Sequence, residues 1–290
     1  HPRDRRQRQM CIRDSTLRVW YEIRRLLMSK HAALDTFGRS GNPVIRSSAF
    51  DSRASSDSER MTLDGAVNKT AIMLAILIST AAISWNFPSP FIVMLSYIGI
   101  FAAAIASVVT FGFWMPFIGF IINPRPYLAP KTWLVFAFGE GFFIGLISLS
   151  FETMFPGIVL EAVSLTFCVA ATLLFLYKSG IVKPSQNFVL MVCSAVFGIF
   201  LFYIGTLIYS LVTGVSPEIF SGSSNASIGL SLFIVAMAAF SLVLDFDIIE
   251  QSAEYGSPKY MEYFGAMALV TTLIWLYIEI LRLLAKFRSR

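Results

Sequence analysis

The chain has 290 residues, of which 56% are hydrophobic and 14% charged, with a mean hydropathy of +0.68. A soluble domain carries about 25% charged residues, so the composition excludes an ordinary soluble enzyme and points to an integral membrane protein. The net charge of +5 comes from basic residues gathered in the first sixty positions and at the edges of apolar segments, a distribution that fits membrane-topology signals better than nucleic-acid binding.

Residues 1–15, HPRDRRQRQMCIRDS, look foreign to the rest. MCIRDS resembles the translation of a sequencing adapter left in an assembly, and the stretch is set aside from fold reasoning as an expression scar would be. Met28 is an alternative start. The segment TLRVWYEIRRLL that it would remove reads otherwise as an amphipathic surface helix. Residues 30–60 are rich in Ser and Arg with little apolar content, so 1–60 is expected to be a disordered tail. No cleavable signal peptide is read before the first apolar segment.

Residues 61–290 are expected to form a seven-helix transmembrane domain. The apolar segments cover about 66–86, 88–122, 132–151, 157–177, 187–213, 227–249 and 260–285. The second exceeds the ~20 residues of an ordinary span, and Gly112 and Pro116 offer a kink. Loop charge decides against splitting it. With a single second crossing, Arg125, Lys131, Lys178 and Lys183 share the cytoplasmic side with the basic tail. The loops around Phe87, Glu152 and Glu218 carry no Lys or Arg. The seventh segment strains the same rule. An odd number of crossings puts Arg282, Lys286, Arg288 and Arg290 outside, and re-entry would bring them back. Its length favours a full span and its charge favours re-entry.

Chemistry is concentrated in acids. Glu140, Glu161, Asp245, Asp247 and Glu279 lie in or at the edges of apolar segments, and basic residues are read only towards the end of the seventh. An ionised carboxylate in hydrocarbon is costly, so such acids usually face a cavity and mark an ion or proton path. An acidic interior favours cations and protons over anions. Calcium suits carboxylate and carbonyl oxygens in flexible geometry. Asp247 reads equally as an interfacial helix end. Glu161, just after Pro156-Gly157, reads as an acid favoured by a helix dipole. Glu140, in FAFGEGFFIG, reads either as a buried structural acid or as part of the path. The only histidines, His1 and His31, lie in the tail, so a pH response of the membrane part must come from carboxylates. Cys11, Cys168 and Cys193 have no zinc or disulfide spacing. No internal repeat, phosphate loop or paired nucleophile and base appears, and no enzyme is expected.

The stretches MTLDGAVNKTAIML, GEGFFIGLIS, FPGIVLEAVSLTF and residues 244–287 resemble the transmembrane Bax-inhibitor-motif family, in its YccA-like bacterial branch. FDIIEQSAEYGSPKYMEYFGA and WLYIEILRLLAKF are the most specific parts. The resemblance implies an all-α, seven-helix bundle with the C-terminal helix central, in a bacterial inner membrane. It also implies a pH-dependent calcium leak or sensor, with no cofactor beyond calcium as the bound or transported ion. Asp245 matches the sixth-helix acid of the family and Glu279 the seventh-helix acid. Arg125 is the nearest candidate for an arginine that pairs with the former. A simple hairpin puts Asp245 and Glu279 about 20 Å apart in depth, which makes Glu140 the alternative partner. The rival reading is a non-conducting regulator that binds a membrane-anchored protease or stress-response partner through its tail. Lipid, calcium or protons, and that protease are the expected partners; nucleic acid is not.

Overall fold

The computed structural model describes residues 60–111 and 125–290. The adapter-like start, the expected tail up to residue 59 and the Gly112–Pro116 kink lie outside the described residues. Among the described residues, seven helices are long and apolar enough to cross a membrane: α1 (Leu63–Asn86), α2 (Pro90–Phe111), α3 (Ala129–Met154), α4 (Ile158–Lys178), α5 (Gln186–Thr213), α6 (Asn225–Tyr255) and α7 (Tyr260–Arg288). A 3-10 turn, Pro126–Leu128, leads into α3, and one helical turn, Glu218–Ser221, sits between α5 and α6. This is the all-α seven-helix membrane fold expected from the sequence.

The helix ends follow local chemistry. The hydroxyls of Thr62, Ser185 and Ser224 accept from the N–H groups of Gly65, Phe188 and Ser227, capping α1, α5 and α6. Gly214 and Gly256 close α5 and α6 with φ of 71° and 77°, a left-handed conformation that glycine adopts without steric cost. Glu152 sits across the start of α4, where its two oxygens accept from the N–H groups of Gly157 and Val159. The dipole position read for Glu161 is thus shared. Glu161 lies in the first turn, but it is Glu152 that bonds the free amides, while Glu161 pairs with Arg288 at 2.7 Å.

The described part of the second apolar segment is a single helix, α2. The N–H of Arg125 bonds the carbonyl of Val109 at 3.3 Å, and the hydroxyls of Thr110 and Thr132 meet at 2.6 Å. The end of α2 therefore lies beside the start of α3. α1, α2 and α3 pack closely through small residues. Gly99 lies against Gly139, Gly141 against Thr80 and Leu77, and Gly145 against Ser84 and Ala81.

α7 is the central helix. It packs against α1, α3, α4 and α6, while α2 lies outside on α3 and α5 outside on α6. Two-thirds of its most apolar stretch (67%) is buried, against 56% for α6 and 39% or less for every other span. It is continuous over 29 residues, about 43 Å at helical rise, which is long enough for a full span. Its two ends are fixed at opposite faces of the bundle. At the face where α1 begins, Glu262 accepts from the N–H and hydroxyl of Thr62. At the far face the basic residues that strained the charge rule bond to neighbouring protein groups. Arg288 bonds Glu161 and the Pro156 carbonyl, Lys286 donates to Ser231 and the Ser227 carbonyl, and Arg290 to Asn225. Charges held this way act as structural ties, which lessens the topology penalty they carry as free cations.

Candidate functional site

Asp245 is fully buried in α6, within electrostatic reach of the buried Cys193 on α5. Its level in the bundle follows from helix register. α6 and α7 run antiparallel from the turn between Tyr255 and Tyr260, and Ile249 packs on Gly265. Counting along this pair sets Asp245 beside Leu269 and Val270. Glu279 lies nine to ten residues further along α7, a separation of about 14 Å at 1.5 Å per residue.

Glu279 is buried at 1% exposure, and its partners are different ones. Tyr203 of α5 donates its hydroxyl to Oε1 at 2.6 Å. Arg282, one turn on, donates to both carboxylate oxygens at 3.1 and 3.2 Å. The guanidinium lies over the ring of Phe220 at 4.6 Å and near that of Tyr203 at 5.9 Å. Glu279 is therefore the buried half of an ion pair clamped between aromatic rings. It does not meet Asp245. The depth mismatch is about 14 Å where the sequence suggested about 20 Å, and it persists because α6 stays helical to Tyr255.

Glu140 is half-buried on the face of α3 that carries Phe136 and Ile144, both buried in the core. α3 runs parallel to α7, with Thr132 reaching Met267 and Ser148 bonding Tyr277. That register sets Glu140 near Thr272, within about 4 Å of the level of Asp245. The two acids sit on different helices around α7 at a shared depth.

Asp247 belongs to another cluster, near the face where α1 begins. Tyr177 of α4 donates to Asp247 at 3.2 Å and makes a very short hydrogen bond to Glu250, and Gln251 donates to Asp247 at 2.6 Å. These bonds tie α4 to α6. Arg125 is exposed and makes no ion pair among the described residues, so it is not the partner of the buried Asp245.

Four groups were not singled out from sequence. Tyr203 and Arg282 bond Glu279, Glu250 shares the Tyr177 hydroxyl with Asp247, and Glu262 bonds Thr62, yet each reads as an ordinary helix or loop-edge residue. The spacing of Glu279 and Arg282, three apart on one helix, was the one legible signal. The interior is also less purely acidic than expected. Lys69 lies within α1 with its ammonium 5.0 Å from the ring of Tyr263, and Lys286 in α7 is 5% exposed. Among the described residues no group of three or more His, Cys, Asp or Glu is placed to hold a metal.

A family model described as Bax inhibitor 1 like matches residues 42–289. No curated protein and no solved structure matches the chain.

Proposed function

The chain belongs to the Bax inhibitor 1 like family, and from that premise we propose that it passes or senses cations across a bacterial inner membrane under the control of membrane-embedded carboxylates. The observation that carries the reading is Asp245. It is fully buried within a membrane helix, and helix register sets Glu140, on α3, at about the same level. A carboxyl that gives up its proton in such a place presents a charge that only a cation or a structural rearrangement can offset. Calcium is the proposed ion, because carboxylates and helix carbonyls are its preferred ligands. Asp245 with Glu140 is the proton-responsive group in this reading. The Glu279–Arg282–Tyr203 clamp instead holds α7 against α5. Asp245→Asn in proteoliposomes is the direct test, since the amide cannot ionise.

The proposed orientation has the start of α1 in the cytoplasm, from the bias of Arg60, Arg125, Lys131, Lys178, Lys183 and Lys259 to that face. A cysteine introduced by Lys183→Cys, in a chain lacking the natural cysteines, should react with a membrane-impermeant thiol reagent only when the cytoplasmic side is open. Reaction from outside intact cells would invert the orientation. Lys183 serves better than Ser185, whose hydroxyl caps α5.

The second reading, regulation of a membrane-anchored protease, rests on the resemblance to the YccA-like branch. Deleting residues 1–60 separates the two: a carboxylate-controlled flux survives the deletion, and a tail-mediated interaction does not.

A further inference from the structure

We propose that the groove between α1 and α4 is a binding site for one acyl chain of a phospholipid whose headgroup carries a primary ammonium, of the phosphatidylethanolamine type. The groove has a volume of about 460 Å³, with α3 and α7 as its floor. It runs from Asn86 and Glu152 at the far face down to Leu74 and Phe167. From Asn86 to Leu74 is about 18 Å at helical rise, close to the ~15 Å depth of one leaflet of the hydrocarbon core. Its walls are apolar, and the one polar pair in its floor, Ser148 and Tyr277, is satisfied internally by a 2.6 Å hydrogen bond. The volume lies within the range of small-molecule sites, about 300–1,000 Å³.

The mouth selects the headgroup. Asn86 and Glu152 both present acceptors there, and no Lys or Arg lines the groove. The amide nitrogen of Asn86 donates to the Ala82 carbonyl, which leaves its Oδ1 to accept. Each oxygen of Glu152 already takes one backbone N–H and keeps a further lone pair. An ammonium is the complementary group, because it brings three donors and a positive charge. An anionic headgroup with no cationic donor would face the Glu152 carboxylate, while the Arg288 guanidinium beside Pro156 is already engaged by Glu161. Trp85, beside Asn86, suits this interfacial depth, where amphipathic rings concentrate.

This proposal stands apart from the carboxylate reading, since none of its residues belongs to that site. The test is native mass spectrometry of the purified full chain in detergent, titrated with phosphatidylethanolamine or phosphatidylglycerol. The wild type should retain one phosphatidylethanolamine at about tenfold lower lipid concentration than phosphatidylglycerol. Leu160 lines the groove at 74% exposure, so Leu160→Trp adds bulk to the groove without entering the core. It should raise the concentration needed about tenfold, while Asn86→Leu should narrow the preference between the two headgroups. Equal retention of both lipids by the wild type, or unchanged retention by Leu160→Trp with wild-type helicity in circular dichroism, overturns the proposal. Should Leu160→Trp not fold, Asn86→Leu decides: it lies at an exposed helix end, and an unchanged headgroup preference in that variant is equally fatal.

Discussion

Replacing Arg282 by Met should lower the stability of the bundle by about 3–5 kcal/mol, the usual cost of leaving one half of a buried ion pair behind. Glu279 is 1% exposed, and after the change its remaining partner is the hydroxyl of Tyr203. The substitution also withdraws the guanidinium from over the Phe220 and Tyr203 rings, so a contact between α7 and the α5–α6 connection is lost as well. Thermal unfolding in detergent reads the effect. The double variant Arg282→Met with Glu279→Gln should recover most of the loss, because the amide removes the stranded charge and still accepts from Tyr203. If the single variant unfolds at the wild-type temperature, the clamp is not holding α7 and its assignment as a structural element fails.

A second large effect is expected at Gly141. A Cβ built there would stand 2.6 Å from the Leu77 carbonyl oxygen and would overlap the hydroxyl of Thr80. Backbone atoms of α1 cannot rotate away as a side chain can, so Gly141→Val must push α1 and α3 apart. Overpacking of a tight core typically costs 1–3 kcal/mol, and a backbone collision belongs at or above the top of that range. α1 and α3 both contact α7, so the loss spreads to the centre of the bundle. Fluorescence-detected gel filtration should show little monodisperse Gly141→Val protein. Gly198→Ala, at a glycine with nothing within 4 Å of the added Cβ, should behave as wild type. Equal yields of the two variants would contradict the packing described for α1 and α3.

The fold was legible because membrane helices announce themselves by length and hydropathy. The expected segments other than the second became helices within a few residues of their bounds, with caps such as Thr62 and Ser224 at their starts, and the described part of the second is the helix Pro90–Phe111. That α2 ends beside the start of α3 was legible too, from where Arg125 and Lys131 must lie. What the sequence left open at α7 was a conflict between length and charge. It dissolves once Arg288 is seen against Glu161 and Lys286 against Ser231, pairings between residues more than fifty positions apart.

The acids were legible as acids but not as partners. Asp245 stood out by hydropathy alone, and its burial agrees with that. Glu279 looked like its mate by resemblance, yet helix register sets the two about 14 Å apart and gives Glu279 to Arg282 and Tyr203. No pattern in a single chain shows which side of α5 faces α7. The same holds for Tyr177, whose hydroxyl joins Asp247 and Glu250. Such ties depend on how helices rotate against one another, which packing of the whole bundle decides.

The central claim, that Asp245 controls cation passage, is tested most directly by calcium flux into proteoliposomes holding the purified full chain. Flux is recorded from about pH 6 to about pH 8, a range within reach of carboxylates in membrane sites. The wild type should pass more calcium as pH rises, because loss of the proton leaves a negative charge that draws the cation. Asp245→Asn should give a flux that no longer varies with pH, whatever its baseline. Glu140→Gln should flatten the profile likewise, and Glu279→Gln should leave its shape intact. A pH profile unchanged in Asp245→Asn, or a wild type that passes no calcium at any pH, would contradict the account and favour the protease-regulator reading.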